Sequence, residues 1–175
     1  MTNSNLLLAS LDDVLEQGER LLQGLSDSQY ARKISEADGA SIGAHYRHSL
    51  EHFKLMFEAI QQPQIDYDRR ARDASLENER LLALSLTRDF RHAARFLNPA
   101  QLDRVIEARC QTSYNDTASS TASSTFGREV MYTVFHAMHH YALIALICRL
   151  RKLPVPQNFG LAPSTLQYQR RSASA

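Results

Sequence analysis

The sequence predicts an all-α fold, a four-helix bundle with long connections between helices 2 and 3 and between helices 3 and 4. Three observations lead there. Apolar residues recur at intervals of three and four over four long segments, turn-forming residues gather between those segments, and six of the seven histidines fall within two of them. At 175 residues the chain fits one hydrophobic core. A single domain is therefore expected over residues 1–165, with a disordered tail over 166–175.

The first helix runs from Ser4 to about Leu25, with Leu7, Leu8, Leu11, Val14, Leu15, Leu21, Leu22 and Leu25 apolar and Asp12, Asp13, Glu16, Glu19 and Arg20 between them. Ser26-Asp27-Ser28 ends it, Ala31 to Ala40 has no clear period, and Asp38-Gly39 marks a turn. Ser41, whose hydroxyl can accept from a free helix-start amide, opens a second helix that continues to about Ile60. On its wheel Ile42, Tyr46, Leu50, Phe53, Phe57 and Ile60 form the core face, and Arg47, Glu51, Lys54 and Glu58 the solvent face. The charged run from Ile65 to Asp73 reads as an ordered crossing loop with a solvated surface. A third helix is expected from Leu76 to about Leu97, stopped by Asn98-Pro99. A short strand near Val105 to Thr112 and a flexible, low-complexity loop over Asp116 to Ser124 follow. The fourth helix starts near Ser124 or Thr125 and reaches about Leu150; being apolar nearly all round, it should be the most buried. Leu153-Pro154-Val155-Pro156 breaks it, and Asn158 to Ser164 reads as ordered coil.

Lys plus Arg number 20 against 19 Asp plus Glu, so no overall field draws the chain to nucleic acid or to an anionic membrane. Arg69, Arg70 and Arg72 interleave with Asp66, Asp68 and Asp73 and make no basic stripe. Leu6-Leu7-Leu8-Ala9 has no basic stretch before it and does not read as a secretory signal. The apolar run from Val130 to Ile147 has the length of a membrane span, but histidines interrupt it, and ionisable groups at mid-bilayer are costly. Cys110 and Cys148 lie outside any CxxC and give neither a disulfide framework nor a thiolate zinc site; the expected location is the reducing cytoplasm.

The chemistry concentrates in the histidines. With each helical residue advancing by roughly 100°, His136 and His140 lie about 40° apart on one face, as two ligands of one ion would, and His139 is turned aside. His45, His48 and His52 all project along the inward flank of the second helix, and His48 with His52 makes a second i, i+4 pair. Imidazole nitrogen suits zinc, nickel, copper or ferrous iron, and bundles build metal sites from inward side chains on facing helices. His136 and His140 are firm choices, while His48 and His52 compete for the third place and His45 is a weaker third. Three protein ligands leave an open, Lewis-acidic site; four close it into a structural one.

Ser41-Ile42-Gly43-Ala44-His45-Tyr46-Arg47-His48 together with His136-Ala137-Met138-His139-His140 resembles the DinB-like superfamily of metal-binding four-helix proteins, which includes bacterial low-molecular-weight-thiol S-transferases that use bacillithiol or mycothiol. The resemblance implies one metal histidine midway along the second helix and two, spaced HxxxH, on the fourth: His48, His136 and His140. It also implies a divalent ion, zinc or nickel foremost, a small-molecule substrate and a homodimer. The sequence departs from the family pattern in Tyr141-Ala142-Leu143 after the histidines, in the extra His45 and His52, in Asp66-Tyr67-Asp68 with Arg70 and Arg72, and in the Phe159 to Thr165 segment.

Two functions follow as expectations. One is a metal-dependent transferase in which a thiol, ionised at the metal, attacks an electrophile held in the bundle mouth, with His52 or His45 as base or support. There Glu129 either orients a ligand or pairs with an arginine, unless it is simply a carboxylate favoured at a helix start. The other is a non-enzymatic, stress-associated homodimer with a structural or sensing metal.

Overall fold

The structure, a computed structural model, describes residues 3–173. Its helices are α1 (Asn3–Gln23), α2 (Asp27–Ala31), α3 (Ile42–Glu58), α4 (Ala74–Asn78), α5 (Arg80–Ala94), α6 (Phe126–Leu150) and α7 (Pro163–Ala173). Three strands, β1 (Gln64–Asp66), β2 (Val105–Cys110) and β3 (Ser120–Thr125), form one sheet in the order β1-β2-β3. The chain is therefore mostly helical with a small mixed sheet, and the all-α expectation is too narrow.

Local chemistry sets the helix starts. The Ser41 hydroxyl accepts from the Ala44 amide at 2.9 Å at the head of α3, and the Thr125 hydroxyl accepts from the Arg128 amide at 3.2 Å at the head of α6. Ser26 and Gln29 form a reciprocal capping box on α2, which starts within Ser26-Asp27-Ser28, read from the sequence only as the end of the first helix. The four long helices then close a ring: α1 packs on α5 and α6, and α3 packs on the same two. Leu11, Val14, Leu15, Leu21 and Leu22 of α1 are buried against Ile42, Tyr46, Leu50 and Phe53 of α3 and the inner faces of α5 and α6.

Tyr46 sits at the centre of that ring. Its ring stacks on Tyr141 of α6 with centroids 5.9 Å apart and planes 4° from parallel, and its hydroxyl is 2.9 Å from the Thr87 hydroxyl of α5. Gly18 of α1 makes room for both tyrosines, since a Cβ there would lie 2.3 Å from each hydroxyl. Phe159, buried and stacked on the far side of Tyr141 at 4.6 Å, draws the chain after α6 back onto the bundle.

The sheet lies beside α3 and α6. β1 runs parallel to β2, and β2 pairs antiparallel with β3 from Val105↔Thr125 to Cys110↔Ser120. Ile65 and Ile106 fix it to the core. β2 was expected; β1 falls in the segment read as a crossing loop, and β3 occupies the segment read as flexible. A three-residue strand has no period to detect, and β3, built of Ser, Thr and Ala, is held by backbone pairing to β2 instead of by an apolar face.

Other departures have equally local causes. The expected third helix is two, because Glu79 adopts φ −110°, ψ 90° and breaks it. Arg80 is drawn away at that point, donating to the Leu22 carbonyl at 2.9 Å and to Asp27 at 2.8 Å. Glu51, expected in solvent, is buried and accepts from the Asp73 amide at 2.9 Å. α6 is less enclosed than its composition implied, with Met131, Phe135, Leu146 and Leu150 exposed. The tail expected to be disordered from residue 166 is helical as far as Ala173, within α7, which buries none of its described side chains; Ser174 and Ala175 lie outside the described residues.

Gly43 marks the tightest approach in the fold. A Cβ there would lie 2.0 Å from the Glu77 carbonyl oxygen, so α3 and α4 meet backbone to backbone. Gly43→Ala is expected to destabilise the protein by about 2 kcal/mol or more through overpacking, measurable as a lowered urea midpoint.

Candidate metal centre

The histidines of α3 and α6 face one another because the two helices pack along the sides that carry them. His136 and His140, one turn apart, have ring centroids 4.7 Å from each other. His48 opposes both, at 4.9 Å from His136 and 4.4 Å from His140. One nitrogen from each of these three lies within 4.8 Å of the others, and His48 Nε2 is 2.9 Å from His136 Nε2. Nitrogens bound to one zinc ion at about 2.0–2.1 Å are roughly 3.3 Å apart in tetrahedral geometry, so three half-buried imidazoles at these spacings fit a small divalent ion.

On α3, His48 is the histidine whose nitrogen joins the three-nitrogen group. His52 is not in the three-nitrogen group: its ring lies 3.9 Å from that of His136 but stacks on Tyr67 at 5.2 Å, and its Nδ1 is buried without a hydrogen-bond partner. His45 Nδ1 is 3.2 Å from His140 Nδ1, and His45 is not in the three-nitrogen group. His139 is exposed. His45 and His52 thus flank the group at its two ends, outside it.

Burial favours the neutral form of the rings of His48, His52, His136 and His140. Loss of hydration pushes His48 down to about 3, helped by the Arg70 guanidinium, and pushes His140 to about 3 and His136 to about 4, helped by neighbouring histidines. Burial takes His52 to about 2.

A second layer was only partly legible in the sequence. Glu129, fully buried, accepts from the Tyr67 hydroxyl at 2.5 Å, the Ser124 hydroxyl at 2.6 Å and Arg128 at 2.9 Å, so it both pairs with an arginine and anchors a tyrosine. Tyr67 is thereby locked against His52, and burial with the Glu129 hydrogen bond raises its pKa far above the usual phenol value. Tyr132 stacks on His136 at 5.6 Å and meets Tyr67 edge-on at 5.0 Å. These two rings also line a cavity of about 340 Å³ that extends to Cys110, Arg128 and β3. Arg70, a member of the charge run read as solvated surface, instead turns inward: its Nη1 contacts His48 Nδ1 and lies 3.4 Å from Nε2.

A three-histidine group on two facing helices defines a helical protein with a candidate metal site. The profile of the DinB superfamily matches residues 10–144, most of the chain and all three histidines; the chain belongs to that superfamily. It is also similar to FK506-binding protein 5 of Rhizopus delemar, 36% identical over 107 residues; the match takes in 61% of this chain, which spans only 28% of that relative. No solved structure matches.

The lowered histidine values fix a pH dependence. Each imidazole titrates near 6.5 when unfolded and well below that in the fold, so the unfolded chain binds more protons between these limits. The stability carried by the neutral rings is present above about pH 6.5 and is lost as pH falls towards about 4. Thermal midpoints are expected to drop steadily from about pH 7 to about pH 5. Replacing His48, His136 and His140 together by Gln should flatten that slope.

Proposed function

We propose that this chain is a divalent-metal protein in which His48, His136 and His140 hold zinc or nickel, and that it transfers a low-molecular-weight thiol to a small electrophile. The observation that carries the reading is the count: three nitrogens converge, and the two further histidines lie outside the group. Three ligands leave a coordination position for an exogenous group, whereas a structural site would be closed by a fourth. The ion would supply Lewis acidity, lowering the pKa of a coordinated thiol so that thiolate is present near neutral pH. The protein's own share is placement. Glu129 holds Tyr67, Tyr67 and Tyr132 hold His52 and His136 at fixed tilt, and the cavity beyond the tyrosines is a place for an electrophile of modest size.

A non-enzymatic role for the same site, with a structural or sensing metal, separates from this by its response to chelation. A structural ion would make chelator cost many degrees of melting temperature, whereas an open catalytic ion should cost few. The purified chain is expected to carry about one metal ion, to lose it in His136→Ala, and to conjugate thiols to a chlorinated aromatic electrophile only when loaded. A metal-free protein inert towards every thiol would sink the transferase reading.

The partner proposed for the outer surface is a second copy of this chain. Leu6 of α1 with Met131 and Phe135 of α6 leave an apolar groove of about 470 Å³ between the two helices, and contiguous apolar surface of this kind marks an association face. Sedimentation should show a dimer, and Phe135→Glu should shift it towards monomer by at least about tenfold in dissociation constant. Both cysteines are free, which accords with a cytoplasmic location.

A further inference from the structure

Resting on the three-histidine reading, we propose that Arg70 is a carboxylate-binding residue of the metal centre, and that the protein takes ligands carrying a carboxylate beside the group that reaches the metal.

Arg70 is half-buried, held by a bond from its Nε to the Tyr67 carbonyl oxygen at 3.1 Å, and its Nη1 is set against His48. A guanidinium in such a place normally meets a carboxylate. Three carboxylates lie on the same loop, and each is engaged elsewhere. Asp66 accepts from the Asp68 amide at 3.0 Å and faces Arg109, Asp68 accepts from the Ser119 hydroxyl at 2.6 Å, and Asp73 accepts from Ser75. Glu129 is taken by Tyr67, Ser124 and Arg128. Among the described residues no ion pair satisfies Arg70.

The contact with His48 does not replace one. Nη1 donates to Nδ1, which must then be the unprotonated nitrogen, while Nε2 faces Nε2 of His136. An imidazole that ligates a metal through Nε2 carries its proton on Nδ1 and presents a donor to Arg70. Guanidinium and Nδ1–H would then be two donors side by side with no acceptor between them. A carboxylate supplies one, bridging both, and its charge offsets a cation next to a divalent ion among neutral histidines.

The rest of the ligand would extend past Tyr67, whose carbonyl holds Arg70, towards the cavity that Tyr67 and Tyr132 line on their other side, where Arg128 lies over the Tyr132 ring at 5.4 Å. The carboxylate could belong to the thiol or to the electrophile, and the chemistry at Arg70 is the same for both.

The test uses the full-length protein loaded with cobalt, whose visible spectrum reports ligands entering the coordination sphere. It compares mercaptoacetate with 2-mercaptoethanol, and benzoate with benzamide, in wild type, Arg70→Gln and Arg70→Lys, with metal content and far-ultraviolet dichroism measured on each sample. In wild type at least one carboxylate-bearing ligand should bind about tenfold more tightly than its neutral counterpart. That ratio should fall to about one in Arg70→Gln and stay intermediate in Arg70→Lys, which keeps the charge but not the fork. A preference within the thiol pair alone places the carboxylate on the thiol; within the benzoate pair alone, on the electrophile. Equal ratios in wild type and Arg70→Gln at full metal loading overturn the proposal and leave the three-histidine reading intact. A wild type that takes up no cobalt overturns both.

Discussion

The stacking of Tyr46 on Tyr141 is the contact on which the rest of this structure depends. These rings join α3 to α6, and they sit two residues before His48 and one after His140, so they set the spacing of the two helices at the level of the histidines. Both hydroxyls are buried, and burial with only partial compensation from Thr87 pushes Tyr46 up to about 12. A phenol is a demanding core residue, because its ring needs a flat neighbour and its hydroxyl needs a partner. Here Phe159, Thr87 and the bare backbone at Gly18 meet those needs from the coil after α6, from α5 and from α1. These elements all bear on one distance, and the histidine group inherits it.

The sheet serves the same end from the other side. β3 delivers Ser124 to Glu129, and β1 ends next to Tyr67, so the buried carboxylate ties the sheet to α6 through two short hydroxyl bonds. Such a carboxylate would be costly if left alone, yet with three donors it acts as a rivet between layers. The loop carrying Tyr67 also carries Arg70, so one anchor positions both a ring beside His52 and a cation beside His48.

Much of the centre was legible in the sequence because helical period converts spacing into direction. The i, i+4 separation of His136 and His140 put them on one face whatever the neighbours did, and the caps at Ser41 and Thr125 are readable from single residues. The choice between His48 and His52 was not available from the wheel, since about 40° separates them and both point inward. In the fold His48 faces both His136 and His140, whereas His52 lies between His136 and Tyr67. Arg70 was assigned to solvent because a charge run has no period, and Glu51 because the wheel of α3 alone does not show the loop that returns over that face and places the Asp73 amide on its carboxylate. The resemblance to the DinB-like superfamily accords with the mostly helical fold, but not with the split of the expected third helix into α4 and α5, with α2 and α7, or with the small sheet.

The two halves of the histidine group are far apart along the chain, with His48 and His136 separated by 88 positions. Before α3 and α6 pack together, the nearest pairs along the chain are His48 with His52 and His136 with His140, and two nitrogens would hold a proposed ion less firmly than three. The third nitrogen arrives only when the last long helix docks on the second. If the group holds an ion as proposed, keeping that ion would require α6 to be docked on α3, so metal content would report completed assembly of the bundle.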